Sequence, residues 1–312
     1  MTTTLLFIFL ASLLIALLLA PLESLGWWAG WFESAKTKDK KYKDFHIEHA
    51  KQLSTKSTFV LFLDGIARVD NQENIAQVGK FLSALENKLT DTELIYDLFP
   101  YSVSGVALTE QRPLSRFWQY VNKAKLDNRI NPIGFTVNLR NMLQVATSAD
   151  RRYGPVYFQG EAQLLLNSLF QRGYDINKPA KVVIIGYSGG AQMAVGAAPY
   201  VQQVLGQKVS VISIGGVVSS NYLLLQVKDL DHVLGSLDFV EKIGAWIFPR
   251  RWLLAYFSNW QQAKRNKQIR IHNIGPMTHI GKKSYIDEKS IFENQSHFDK
   301  TVKTVVDLVN QS

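Results

Sequence analysis

Cysteine is absent from the 312-residue chain. Its absence excludes disulfide scaffolds, thiolate nucleophiles, zinc ribbons and iron–sulfur ligation together. It leaves the compartment open, because a chain without thiols suits an oxidising or a reducing space. No G-x-G-x-x-G is present. Gly275 to Lys283 imitates a phosphate loop but places five residues between its glycines and puts Lys283 where a Ser or Thr should hold magnesium. Nucleotide chemistry is therefore not expected. His46-Ile47-Glu48-His49 lacks the i, i+4 histidine spacing of a zincin helix, so no metal is expected either. Charge is scarce at the amino terminus, where residues 1 to 32 carry only Glu23. The remaining 280 residues hold 35 basic and 25 acidic groups, a balance of +10 against +9 for the whole. With 46% hydrophobic and 20% charged residues, the body has the composition of a packed globular protein, neither disordered nor polytopic.

Leu5 to Leu22 is an uncharged run of 18 residues whose only polar member is Ser12, the lower limit for a spanning helix. Thr2, Thr3 and Thr4 precede it where a secretory signal carries Lys or Arg, so the run is expected to be an uncleaved anchor. Trp27, Trp28, Trp31 and Phe32 follow, rings of the kind that settle among lipid headgroups. Lys36, Lys38, Lys40, Lys41 and Lys43 come next. By the positive-inside rule they keep the body cytoplasmic, in a single-pass membrane protein; read plainly, they are a solvated linker. The expected organisation is an anchor with its interfacial segment over 1–32, a basic linker over 33–54 and one domain over 55–312.

Nearly continuous apolar runs predict strands at Thr58–Leu63, Glu93–Phe99, Lys181–Ile185, Val209–Ile214, His232–Leu234 and Ile269–Ile274. Helical periodicity separates them at Ile75–Leu89, Glu161–Gln171, Ala191–Leu205 and Phe298–Val309. Such alternation predicts an α/β fold with one doubly wound, mostly parallel sheet. Gln111–Tyr157, with eight Lys and Arg, breaks the alternation and reads as an insertion. Gly244–Gln261 also breaks it. Its Trp246, Trp252 and Trp260 suit a lid or a surface dipping into headgroups, or else a crossover helix packing its aromatics on the sheet.

Lys181 to Ile185 runs into Gly186-Tyr187-Ser188-Gly189-Gly190 and then into the small residues Ala191 to Val195. This is G-x-S-x-G between a strand and a helix. A serine hydroxyl becomes a nucleophile when it projects toward both a base and oxyanion donors, and a strained turn provides that projection. Flanking glycines remove the Cβ atoms that would collide with strand and helix. On this motif, on Gly235-Ser236-Leu237-Asp238 and on Gly275-Pro276-Met277-Thr278-His279, the sequence resembles the α/β-hydrolase superfamily, in particular its lipase- and esterase-like serine hydrolases, over roughly residues 55 to 312.

The resemblance implies nucleophile, acid and histidine in that chain order, hence Ser188, Asp238 and His279. Asp238 follows its strand and so lies on the carboxyl edge where ligands of an open sheet bind, whereas Asp229 and Asp231 precede the strand. Asp238 also suits the amino cap of the next helix. His279 lies just past the last strand; His297, at the start of the final helix, is the fallback base. His272, inside that strand, reads as structural. The oxyanion hole is expected from the Gly189 N–H and, by the resemblance, from the Ile66 N–H. Asp64-Gly65 stands where the family commonly has His-Gly, and Asp64 is expected to point away. The expected activity is ester hydrolysis without cofactor, on an ester or acyl-lipid substrate beside anionic headgroups. Acyl transfer through the same intermediate, and a non-catalytic scaffold tethered to the membrane, are the alternatives. The basic balance carries no recognised nucleic-acid motif, so no nucleic-acid partner is expected.

Overall fold

Six short strands, the central ones rich in Val, Ile, Leu and Phe, pair side by side, all parallel. The computed structural model describes residues 53–68, 76–102, 108–109, 115–127 and 132–312, with a few positions before residue 27. Most of the expected anchor and nearly all of the basic linker lie outside the described residues, among which no helix is long and apolar enough to cross a membrane.

In chain order the elements are β1 (Thr58–Leu63), α1 (Ala76–Lys88), β2 (Thr92–Ile95), α2 (Ser115–Asp127), α3 (Pro132–Ala149), α4 (Gly154–Gln171) and β3 (Lys181–Tyr187). Then come α5 (Gly190–Leu205), β4 (Val209–Ile214), a 3-10 turn (Tyr222–Gln226), β5 (Leu230–Leu234) and α6 (Phe239–Ile247). A second 3-10 turn (Pro249–Arg251), α7 (Asn259–Arg265), β6 (Ile269–Asn273), the hairpin of β7 (Ile291–Phe292) and β8 (Gln295–Ser296), and α8 (His297–Gln311) complete the chain.

The continuous apolar strands follow from burial on both faces, since successive side chains point to opposite sides of a sheet. Phe59, Leu61, Leu63, Val182 and Ile184 pack with α4, α5 and α7 on one face. Val60, Phe62, Val183 and Ile185 pack with α1 and α8 on the other. The sheet order is β2-β1-β3-β4-β5-β6. The chain builds outward from β1 to β2, then crosses back to β3 and continues the other way. The reversal leaves a crevice beyond the carboxyl ends of β1 and β3, where ligands of such sheets bind.

The structure refines several expected boundaries. β2 stops at Ile95; Leu98 and Phe99 are buried in the loop beyond it, so they read as strand without being strand. β5 begins at Leu230, which places Asp231 within the strand rather than ahead of it. Gln111–Tyr157 contains α2, α3 and the first turn of α4. Val121 of α2, and Val137 and Val145 of α3, form a small core with Phe99 and Tyr101, against which Ile66 packs. The insertion therefore covers the carboxyl end of β1. Gly244–Gln261 is neither one crossover helix nor a wholly outward surface: Trp260, on α7, is buried, while Trp246 and Trp252 are exposed.

Candidate active site

Ser188 sits between the last residue of β3 and the first of α5 with φ at +54°, in the left-handed region that a non-glycine residue seldom adopts. Close approach explains its glycine neighbours. A Cβ on Gly186 would lie 2.4 Å from Ala191 Cα, and one on Gly190 would lie 2.3 Å from the Leu63 carbonyl oxygen. The Ser188 backbone is fully engaged: its N–H donates to Ile214 O at 3.0 Å and its carbonyl accepts from Ala191 and Val217 N–H, both at 3.2 Å. The turn thus fixes the direction of the hydroxyl.

Ser188 Oγ lies 2.7 Å from His279 Nε2, and His279 Nδ1 lies 2.9 Å and 3.1 Å from the two Asp238 carboxylate oxygens. These three side chains are buried, 91 and 41 residues apart along the chain. An ionised carboxylate only accepts, so Asp238 assigns the imidazole proton to Nδ1 and leaves the Nε2 lone pair facing the serine hydroxyl. Asp238 has two further donors. The Glu241 N–H reaches Oδ1 at 2.9 Å, which makes Asp238 the amino cap of α6, and the Tyr285 hydroxyl reaches Oδ2 at 2.7 Å. One carboxylate therefore both caps the helix and lies against the imidazole.

Two tyrosines that the sequence reasoning did not assign hold this arrangement. Tyr285 accepts from the Gly235 N–H at 2.8 Å while donating to Asp238. Burial, with the Asp238 carboxylate beside it, pushes its phenol far above the usual range, so it stays a donor. Tyr187 donates to the His279 carbonyl at 3.0 Å, and its ring stacks on the imidazole at 5.9 Å between centroids. Its phenol is likewise raised by burial and by Asp64 and Asp238. Tyr187 was visible as the variable residue of the Gly-x-Ser-x-Gly motif; nothing in the sequence singled out Tyr285.

The loop after β1 runs beside the nucleophile, since a Cβ on Gly65 would lie 3.3 Å from Ser188 Cβ. Ile66 Cγ2 would be 2.7 Å from a Cβ on Gly189, which sets the two expected oxyanion residues against each other. Asp64 turns its carboxylate back onto the Gly65 N–H at 2.7 Å and so takes that donor. The loop is pinned from outside. Tyr101 donates to Asp64 O at 2.6 Å, and Asn141 of α3 donates to the carbonyls of Ile66 and Arg68, each at 2.8 Å. The buried Arg140 holds Asn141 Oδ1 at 2.9 Å and Tyr101 O at 2.7 Å. Gly189 is the amino cap of α5, and the Ala191 and Gln192 amides are already taken by the Ser188 and Gly189 carbonyls, each at 3.2 Å.

The other candidates lie elsewhere. His297 turns Nδ1 to the Lys283 carbonyl at 2.9 Å and so braces the loop that carries His279 instead of meeting Ser188. His272 contacts Asp231 at 2.6 Å, and Arg270 pairs with Asp231 and Asp229, toward the amino edge of the sheet. Among the described residues no cluster of His, Asp and Glu could hold a metal ion.

A parallel sheet that reverses beside the strand bearing a Gly-x-Ser-x-Gly elbow, with insertion helices over that edge, decides the architecture. The chain resembles the α/β hydrolases. No family model and no curated protein matches the sequence. Among solved structures, dienelactone hydrolase from Anabaena variabilis is similar at 14% identity, over 83% of this chain and 86% of that one, with a TM-score of 0.41. Ser188, Asp238 and His279 come from three separate loops at the carboxyl edge of the sheet, which only the fold brings together. Chemically, the set can move a proton from a hydroxyl to an imidazole and hold the resulting imidazolium against a buried carboxylate.

Proposed function

We propose that the chain is a membrane-tethered serine hydrolase that cleaves a carboxylic ester, with an acyl lipid as the favoured substrate class. The observation that carries this reading is the 2.7 Å contact between Ser188 Oγ and His279 Nε2, backed by Asp238 at 2.9 Å. Ser188 attacks the ester carbonyl as His279 takes its proton. Asp238 stabilises the imidazolium, and the N–H groups of Gly189 and Ile66 receive the oxyanion. His279 then returns the proton to the departing alkoxide. Water, deprotonated by the same imidazole, releases the acid from the acyl enzyme. The apolar Leu5–Leu22 run and the Lys36 to Lys43 cluster support a tether at a membrane, with the body on the cytoplasmic side.

A fluorophosphonate probe applied to the full-length protein tests the assignment. Wild type is expected to be labelled and Ser188→Ala is not; hydrolysis of a short nitrophenyl ester falls about a thousandfold or more in the variant. Equal labelling of the two proteins would overturn it.

A further inference from the structure

The polypeptide just after Asp238 leaves a large apolar surface uncovered. Leu254 is 95% exposed, Phe257 90% and Leu253 82%, and Trp246, Phe239 and Ile247 are more than half exposed. So many exposed apolar side chains within one short segment of a globular protein mark a site of association. Its charge is one-sided as well: the 45 residues between Glu241 and Asp287 hold nine Lys or Arg and no Asp or Glu. Lys242, Arg250, Arg265 and Lys267 are exposed within or beside it. Exposed Trp, Phe and Leu among cations and without anions are the composition of a surface that settles in a headgroup layer and prefers anionic lipid.

The surface is rigidly mounted. Beneath it, Arg251 is buried with its guanidinium 2.6 Å from Glu241 Oε1 and 4.0 Å over the Trp260 ring. Gln261 Nε2 donates to the carbonyls of Arg251 and Trp252 at 2.9 and 3.0 Å. The segment packs on the loop leaving β4: Arg251 Nη1 donates to Val218 O, and the Trp260 N–H donates to Ser220 Oγ. That same loop reaches the nucleophile, through the Val217 N–H on Ser188 O at 3.2 Å. The exposed Leu237 and Ile280 adjoin Asp238 and His279 in sequence and carry the apolar character to the site itself.

We infer that α6 and the 252–257 segment form a docking face for an anionic bilayer surface, with the Ser188 site opening toward the lipid. The chain can reach. Residues 33 to 52 span up to about 70 Å when extended, more than the roughly 50 Å diameter of a domain this long. This deepens the hydrolase reading by naming the direction from which an acyl lipid arrives, yet docking itself needs no catalysis, so its test reads depth instead of turnover.

The chain has no cysteine, so one introduced thiol gives one label. Full-length protein bearing Ser188→Ala carries a nitrobenzoxadiazole fluorophore at Leu254→Cys, at Phe257→Cys or at the control Asn177→Cys, and is reconstituted into phosphatidylcholine vesicles with or without phosphatidylglycerol. At 254 and 257 the emission is expected to shift to the blue and to be quenched several-fold more by lipids brominated on the acyl chain than at 177. Phosphatidylglycerol should strengthen the effect, and adding Lys242→Glu with Arg250→Glu should weaken it. Aqueous iodide quenching all three labels equally on anionic vesicles would overturn the inference. So would burial of the 254 label that rises with protein concentration in lipid-free detergent, which would give the face to a second copy of the chain.

Discussion

Tyr285 illustrates how one side chain can decide the behaviour of another. Its hydroxyl donates to Asp238 Oδ2 and accepts from the Gly235 N–H, so it ties the acid to the turn that presents it. Tyr285→Phe would keep the ring packing and remove both bonds. The Gly235 N–H would be left unpaired in a buried place, at a cost of about 1–3 kcal/mol. In the proposed mechanism Asp238 acts through His279, so the expected kinetic effect is a fall in kcat of about tenfold with KM unchanged, measured beside the melting temperature. A loss confined to stability would make Tyr285 structural only. The sequence made Ser188, Asp238 and His279 findable because each follows an apolar run at a turn. Tyr285 follows no such run and lies 47 residues from its partner, in a loop whose path depends on tertiary packing. Arg140 was hidden for a different reason: on a helix a buried guanidinium reads like a surface one, and only its reach to Tyr101 O shows otherwise.

At the scale of elements, Asp238 connects the start of α6 to the chemistry. Both roles predict loss on Asp238→Ala, whereas Asp238→Asn separates them. Asparagine is as good an amino cap as aspartate, so its Oδ1 keeps the Glu241 N–H and α6 stays in place. Its amide nitrogen then faces His279 Nδ1 as a donor. The ring must move its proton to Nε2, which can no longer accept from Ser188. The expected result is a melting temperature within a few degrees of wild type and a kcat reduced by about 10⁴-fold. Matching losses in kcat and in folded protein would mean that the cap is all Asp238 provides. The strands were legible because burial on both faces leaves continuous apolar runs; Thr58–Leu63 and Val209–Ile214 coincide with their expected limits. β5 was read two residues short because Asp231 interrupts its apolar run, and His232 is a second polar residue within it. They are tolerated there because Asp231 pairs with Arg270 and His232 meets Ser213 and Glu241, partners from other elements that a local window cannot see.

At the scale of the whole molecule, two buried groups of opposite sense shape stability against pH. Glu161 of α4 is 1% exposed, both of its carboxylate oxygens lack a hydrogen-bond partner among the described residues, and burial raises its pKa to about 8. Unfolded, it ionises near 4.5. The folded chain therefore holds this proton more tightly. Its contribution to stability is full below pH 4.5 and is lost as the pH rises to about 8, on the order of a few kcal/mol. Glu241 runs the other way. Burial opposes its ionisation, but the His232 hydrogen bond and the Arg251 guanidinium outweigh it and bring the pKa to about 2. That stabilisation is present above 4.5 and disappears as the pH falls toward 2. His232 adds to the acid side, since burial lowers its pKa and protonation below its ordinary value of 6.5 favours the unfolded chain. Urea midpoints measured across pH should therefore trace a dome, falling on both flanks. Glu161→Gln cannot titrate, so it should flatten the flank between pH 5 and 8 and leave the acid flank unchanged. An unaltered alkaline flank in that variant would mean that Glu161 is ionised in the folded protein and that its carboxylate finds in solution the partners it lacks here.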